Sequence, residues 1–153
     1  MSRVLWLVLL PAVLQAQPGL ERLFYYVDRE DSYDAFVRHA DRIDVLGVGG
    51  YRVDSLGILW GSVDRRVLEL ARQRNVKVMP LLVNESFHQP SLRRLLSDTA
   101  ARHRATRAMA DECRQHRYWG WQFDIENVHI DDRGRLTTWY GQAARALRAG
   151  GWT

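Results

Sequence analysis

The sequence predicts an α/β fold in which parallel strands alternate with the helices that cover them. Three observations carry this expectation. Short aliphatic and aromatic runs alternate with stretches whose apolar residues recur every three or four positions. The connections between them are short, and parallel pairing needs helical crossovers of this kind. The last run, Tyr118–Asn127, alternates apolar and polar residues and ends in two acids, Asp124 and Glu126.

Each element has its own warrant. Leu23–Val27 is aromatic and β-branched and reads as the first strand. Asp31 or Ser32 is suited to cap the next helix, with Tyr33, Phe36, Val37 and Ala40 on one stripe. Ile43–Val48 is the second strand, followed by a glycine-rich loop at Gly49 and Gly50 and a segment from Tyr51 to Gly61. A second helix, capped by Ser62, gathers Val63, Val67, Leu70 and Ala71 and ends at Asn75. Val76–Val83 is the third strand, and Pro80 predicts a bulge or a missing ladder bond there. One long helix should follow, because Leu92, Leu95, Leu96, Thr99, His103, Thr106, Ala110 and Cys113 step by three or four. That stripe assigns His103 and Cys113 to a buried face. The acid-tipped run is the fourth strand, and a helix carrying Leu136, Trp139, Tyr140, Ala143 and Leu147 closes the series. Units of this length suit a (β/α) barrel or a doubly wound sheet, and four of them are half of an eight-unit barrel. The expected architecture is the (β/α)8 TIM-barrel class with about the first four units present, the chain stopping where a further strand would begin.

Composition narrows the function classes. Apolar residues make up 46% and charged residues 26%, an ordinary globular balance. The net charge is +4, and all but Lys77 of the 22 basic residues are arginines scattered among acids. No basic run interleaves with aromatics, so a nucleic-acid partner is not expected. Cys113 is the sole cysteine, which excludes an intrachain disulfide and a cysteine-based metal site. Residues 1–16 read as a signal peptide: Arg3, an apolar core over Val4–Leu14, and cleavage after Ala16. That core is too short for a comfortable membrane span. The expectation is a secreted, periplasmic or envelope protein whose barrel domain occupies residues 17–153.

Chemistry concentrates on the fourth strand. Gln122, Asp124 and Glu126 share one parity, while Trp119, Trp121, Phe123 and Ile125 share the other, helix-facing one. Two acids and an amide on the inner face serve no folding purpose, and strand C-termini are where barrels build active sites. A pair of carboxyls on one face suits one of them to act as general acid. Tyr25 and Tyr26 on the first strand and Asn84 after the third are candidates for the floor and rim of a binding site at this end. Glu85, His88, His129 and Asp131 lie in loops at the same end without recognisable ligand spacing, so no metal and no other cofactor is assigned. Asp131 or Asp132 is more simply the cap of the last helix.

Gly120-Trp121-Gln122-Phe123-Asp124-Ile125-Glu126 resembles the fourth-strand signature Asp-Gly-x-Asp-x-Asp-x-Glu of glycoside hydrolase family 18, the chitinase family. Gly120, Asp124 and Glu126 match; Trp119 and Gln122 stand where two of the aspartates are usual. The Tyr-Tyr first strand and the Pro-Leu-Leu-Val-Asn third strand resemble the branch that acts on spore cortex and peptidoglycan. The resemblance implies hydrolysis of β-linked N-acetylglucosamine polymers, chitin or peptidoglycan, by substrate-assisted retaining catalysis. Glu126 would be the general acid/base, Asp124 would orient the acetamido group, and Gln122 would hydrogen-bond Asp124 from the inner position. The alternatives are a non-catalytic glycan-binding protein on the same barrel, and a metal-dependent barrel hydrolase.

Overall fold

The computed structural model describes residues 20–153. The expected signal peptide lies outside the described residues. Strand β1 (Leu23–Tyr26) is followed by α1 (Glu30–His39), β2 (Val45–Val53), β3 (Leu59–Gly61) and α2 (Arg65–Gln73). Then come β4 (Lys77–Asn84), α3 (Gln89–Ser97), α4 (Thr99–His116), β5 (Gln122–Asp124) and α5 (Arg133–Ala149). The sheet order is β1-β2-β4-β5, all parallel, with β3 paired antiparallel to β2. The four parallel strands curl into a half-barrel, as the alternation of strands and helices predicts.

One face of the sheet holds the helices and the other is the open inner face. Tyr26, Leu46, Val48, Tyr51, Val53, Val78, Leu82 and Trp121 project to the helix side and form one core with α1, α2, α3, α4 and α5. Their alternation leaves Tyr25, Gly47, Gly49, Leu81, Val83, Gln122 and Asp124 on the inner face. β5 is anchored by Phe123, whose ring lies 5.3 Å from Trp139 and 4.6 Å from Tyr140.

Four sequence expectations change. The second strand does not stop at the glycines: β2 runs through them with a bulge at Gly50 and turns into the β2–β3 hairpin. Pro80 stays in register with Val48, so the irregularity sits on the neighbouring strand instead. The single long helix is two, α3 and α4, broken at Asp98, whose carboxylate accepts the Ala100 N–H at 2.8 Å. The break resets the helical phase, so the buried stripe of α4 is Ala101, Ala105, Met109 and Cys113, and His103 is exposed. Capping also differs: Asp64, not Ser62, caps α2, and α1 starts after Arg29 without a side-chain cap.

Helix ends use left-handed residues where the pattern stops, Asn75 after α2 and Arg117 after α4. Beyond α5 the chain returns to the sheet. The Thr153 N–H donates to Trp119 O at 2.9 Å, and the Trp121 N–H donates to Thr153 O at 3.0 Å. Gly120 permits this approach, since a Cβ there would sit 1.9 Å from Thr153 O.

Cys113 is 1% exposed, and burial pushes its thiol up to about 11. A raised thiol pKa leaves little thiolate at neutral pH. Native protein is therefore expected to resist alkylation by iodoacetamide at pH 7.5, and urea-unfolded protein to be labelled at one site. Rapid labelling of the native protein would contradict this packing.

Candidate active site

Parallel register builds the site at the C-terminal ends of the strands. Arg52 on β2 is level with Val83 on β4, and Val83 is level with Asp124 on β5. Both flanking residues of Arg52 are core, Tyr51 at 3% and Val53 at 1% exposure, so Arg52 projects to the inner face. Asp124 is half-buried on that face, with Gln122 one layer deeper beside Leu81. Tyr140 flanks β5: burial first, and the Asp124 charge second, push its phenol up.

Glu126 lies beyond the end of β5 and is exposed, yet its backbone is held from both sides. Its N–H donates to Asn84 Oδ1 at 2.9 Å, and its carbonyl accepts from Asn84 Nδ2 at 3.2 Å. The Asn84 side chain thus extends the β4–β5 ladder past its last backbone pair, Val83 and Asp124. This corrects the expectation that Asn84 contacts sugar. At 2% exposure, with amide oxygen and nitrogen both engaged, it positions Glu126 instead.

The two tyrosines of β1 separate as strand neighbours must. Tyr25 lies on the inner face, 61% exposed, and its hydroxyl accepts from Gln122 Nε2 at 2.6 Å. Gly47 makes that reach available, because a Cβ there would sit 2.9 Å from the Tyr25 ring. Tyr26 is on the opposite face, 4% exposed and packed in the core, so it is not brought to the site. Gln122 also departs from expectation. Among the described residues its amide pairs with Tyr25, and no hydrogen bond joins it to Asp124.

The loops around Glu126 are tied together and strained. Asn127 Nδ2 donates to Phe87 O at 3.1 Å, and Gln89 Nε2 donates to Asn127 O at 3.2 Å. Ser86, Phe87 and Asn127 all have left-handed backbones, with φ of 49°, 52° and 55°. At Ser86 and Phe87 that conformation costs about 1–2 kcal/mol each, while asparagine adopts it more readily, and the cross-loop bonds help to offset the cost. Such strain commonly gathers at functional sites.

The loop acids and histidines at this end do not converge. His88 Nδ1 pairs with Ser91 Oγ at 2.8 Å, while His129 contacts Asp131 and Arg93. Among the described residues no group of three or more His, Cys, Asp or Glu side chains could hold a metal ion. Asp132 occupies the cap position of α5, but its buried carboxylate pairs with Arg93 at 2.9 Å and Arg135 at 2.7 Å and makes no cap bond.

The hairpin adds residues that sequence periodicity missed. Trp60 on β3 is the direct cross-strand partner of Arg52, so the two share the inner face. Trp60 is 54% exposed, and its indole Nε1–H donates to Asp54 Oδ2 at 3.1 Å. Asp54 Oδ1 also accepts from Leu56 and Ile58 N–H groups. Burial alone would raise the Asp54 carboxyl, but these hydrogen bonds outweigh it and hold it below the usual range. A depressed carboxyl stabilises the hairpin fully above the ordinary carboxylate range and loses that contribution as pH falls through the lower folded value. The hairpin is therefore expected to stay ordered at pH 5, checked by amide exchange at Leu56 and Ile58; loss of protection there by pH 5 would contradict it. The Asp-Ser-Leu-Gly turn between two β-type runs was the available signal.

No family model and no curated protein sequence matches this chain. Solved structures do. A chitinase from Chromobacterium violaceum superposes with a TM-score of 0.77 at 21% identity, over 88% of this chain and 44% of that one. The spore cortex-lytic enzyme SleL of Bacillus megaterium gives 0.79 at 16% identity, over 86% and 33%. A class V chitinase from Pseudomonas fluorescens gives 0.79 at 19% identity, over 85% and 42%. The chain spans less than half the length of each of these. At such identities the likeness establishes the fold: this chain is a half-barrel of the kind found within chitinase TIM barrels.

Proposed function

We propose that this chain supplies the acid-bearing portion of a family 18 glycoside hydrolase, exported from the cell and acting on β-linked N-acetylglucosamine polymers such as chitin or peptidoglycan. The observation that carries the reading is the end of β5. Asp124 lies on the inner face, and Glu126 is fixed just beyond it by the buried Asn84. That arrangement stands on a chitinase-like fold. An exposed glutamate whose backbone is pinned on both sides is suited to a task that demands a fixed position.

The chemistry follows the substrate-assisted scheme. Glu126 donates a proton to the glycosidic oxygen as the C–O bond breaks. The acetamido carbonyl oxygen of the same sugar bonds to the anomeric carbon, and positive charge spreads over the resulting oxazolinium ring. Asp124 orients the acetamido N–H and stabilises that charge. The Glu126 carboxylate then takes a proton from water as it attacks the anomeric carbon, and the ring reopens with the configuration retained. Tyr25 and Gln122, already joined to each other, line the inner face below the reacting sugar.

The test is product stereochemistry. The full-length protein, incubated with N-acetylglucosamine oligomers, is expected to release the β-anomer first by proton NMR, with turnover unaffected by chelators. Release of the α-anomer would exclude the mechanism. Loss of turnover on chelation would point to a metal-dependent hydrolase. Oligomer binding without turnover would leave a glycan-binding protein. The four-strand unit alone is expected to be inactive, since its inner face is closed on one side only.

A further inference from the structure

We propose that Trp60 and Arg52, on the β2–β3 hairpin, form a glycan subsite that selects a carboxylate-bearing hexosamine. The inference rests on the glycosidase reading and extends it to the substrate class. Register places Trp60, Arg52, Val83 and Asp124 in one row across four adjacent strands, all on the inner face. Strand spacing puts the backbones of Arg52 and Asp124 about 10 Å apart, so one glycan spans both.

Each member of the pair is prepared for a ligand. The Trp60 indole is fixed by its N–H bond to Asp54, which leaves its ring faces unoccupied by that contact. Among the described residues no cation lies over that ring; Arg66, Lys77 and Arg114 cover Tyr33, Trp119 and Trp152 instead. An exposed, immobilised aromatic plane suits the apolar face of a pyranose. Arg52 is exposed and makes no ion pair among the described residues. Among the described residues, the one other cation at an inner-facing strand position, Lys77, sits at the opposite end of β4 and is paired with Glu21. Among the described residues, this end of the inner face therefore carries the unpaired Arg52 guanidinium beside the exposed Trp60 ring.

A neutral polymer of N-acetylglucosamine uses the aromatic plane and leaves the guanidinium unanswered. A polymer whose hexosamines carry a lactyl ether carboxylate uses both. Guanidinium and carboxylate match as a two-point hydrogen-bonded pair, which lysine does not reproduce. Val83 between Arg52 and Asp124 is small and uncharged, so no competing acid or base separates the subsite from the catalytic acids.

Calorimetric binding to the full-length protein tests this with three probes: a peptide-free glycan of alternating N-acetylglucosamine and N-acetylmuramic acid, the same glycan with its carboxylates amidated, and a neutral N-acetylglucosamine oligomer. The wild type is expected to bind the carboxylate form about tenfold more tightly than the amide. Arg52→Gln should bring that ratio to about one, and Arg52→Lys should restore only part of it. Trp60→Ala should weaken all three probes. A peptide-bearing strand separates sources: selectivity seen only there would assign the carboxylate to the peptide and overturn the hexosamine assignment. An unchanged ratio in Arg52→Gln, with the far-UV spectrum of the wild type, would overturn the subsite while turnover of neutral oligomer left the hydrolase reading standing. Carboxylate preference lost in Arg52→Gln without turnover of any glycan would support the subsite and overturn the hydrolase reading.

Discussion

Glu126→Gln in the full-length protein is expected to lower turnover of N-acetylglucosamine oligomers by roughly 10²–10⁴-fold, the usual contribution of a positioned general acid/base. Gln preserves size and leaves the Glu126 backbone bonds to Asn84 available, since those involve only main-chain atoms. The variant should therefore fold with an unchanged melting temperature and still bind the oligomer, because what it loses is proton transfer. Substrates with a good leaving group need little protonation, so their first step should suffer less. Equal turnover by wild type and variant would remove Glu126 from the mechanism. Asp124→Asn should act differently, leaving protonation intact while the acetamido group loses its partner. A large fall for N-acetylated oligomers is expected there.

Asn84→Ala is the second large effect. Asn84 touches no substrate in this scheme, yet it fixes the main chain of the acid through two hydrogen bonds. Displacement of a reacting group by about 1 Å can cost about 10²-fold in rate, and a comparable loss in kcat is expected with little change in KM. Stability should also fall by about 1–3 kcal/mol, because a buried hydrogen-bonding side chain is replaced by a cavity. Asn84→Asp separates position from packing. It retains an acceptor for the Glu126 N–H but sets a charge against the Glu126 carbonyl, so its kcat should fall although its volume is conserved. If Asn84→Ala lost stability but kept kcat, the clamp would be structural only.

The residues around the site differ in how visible they were beforehand. Asp124 was legible because alternation along a strand is a local property, and its parity opposite Trp121 and Phe123 survives in the fold, with Glu126 following just beyond the end of β5. Asn84 was visible as a residue at the right end of β4, but not its use. Nothing in Val-Asn-Glu says that the side chain turns away from the cleft to meet a backbone 42 residues later. Tyr25 and Tyr26 looked equivalent as a pair, although strand geometry allows only one of them to face the cleft. The parity rule applied to Asp124 would have separated them, had the inner face of β1 been known. Gln122 shows the limit of a motif: it lies on the inner face as strand parity predicts, and its partner is Tyr25 across the sheet.

The sequence by itself determined the alternation of strands and helices, the half-barrel class and the two acids at the end of β5. Each follows from side-chain periodicity, which depends on the backbone of a single segment. Tertiary structure decided the rest. It broke one expected helix at Asp98 and turned His103 outward, because a cap resets the helical phase. It carried β2 through its glycines into a hairpin and set Trp60 beside Arg52 in the row that ends at Asp124. It also gave Asn84 to Glu126. These outcomes depend on register and on bonds between segments distant in sequence, and local periodicity holds no record of which strand lies beside which.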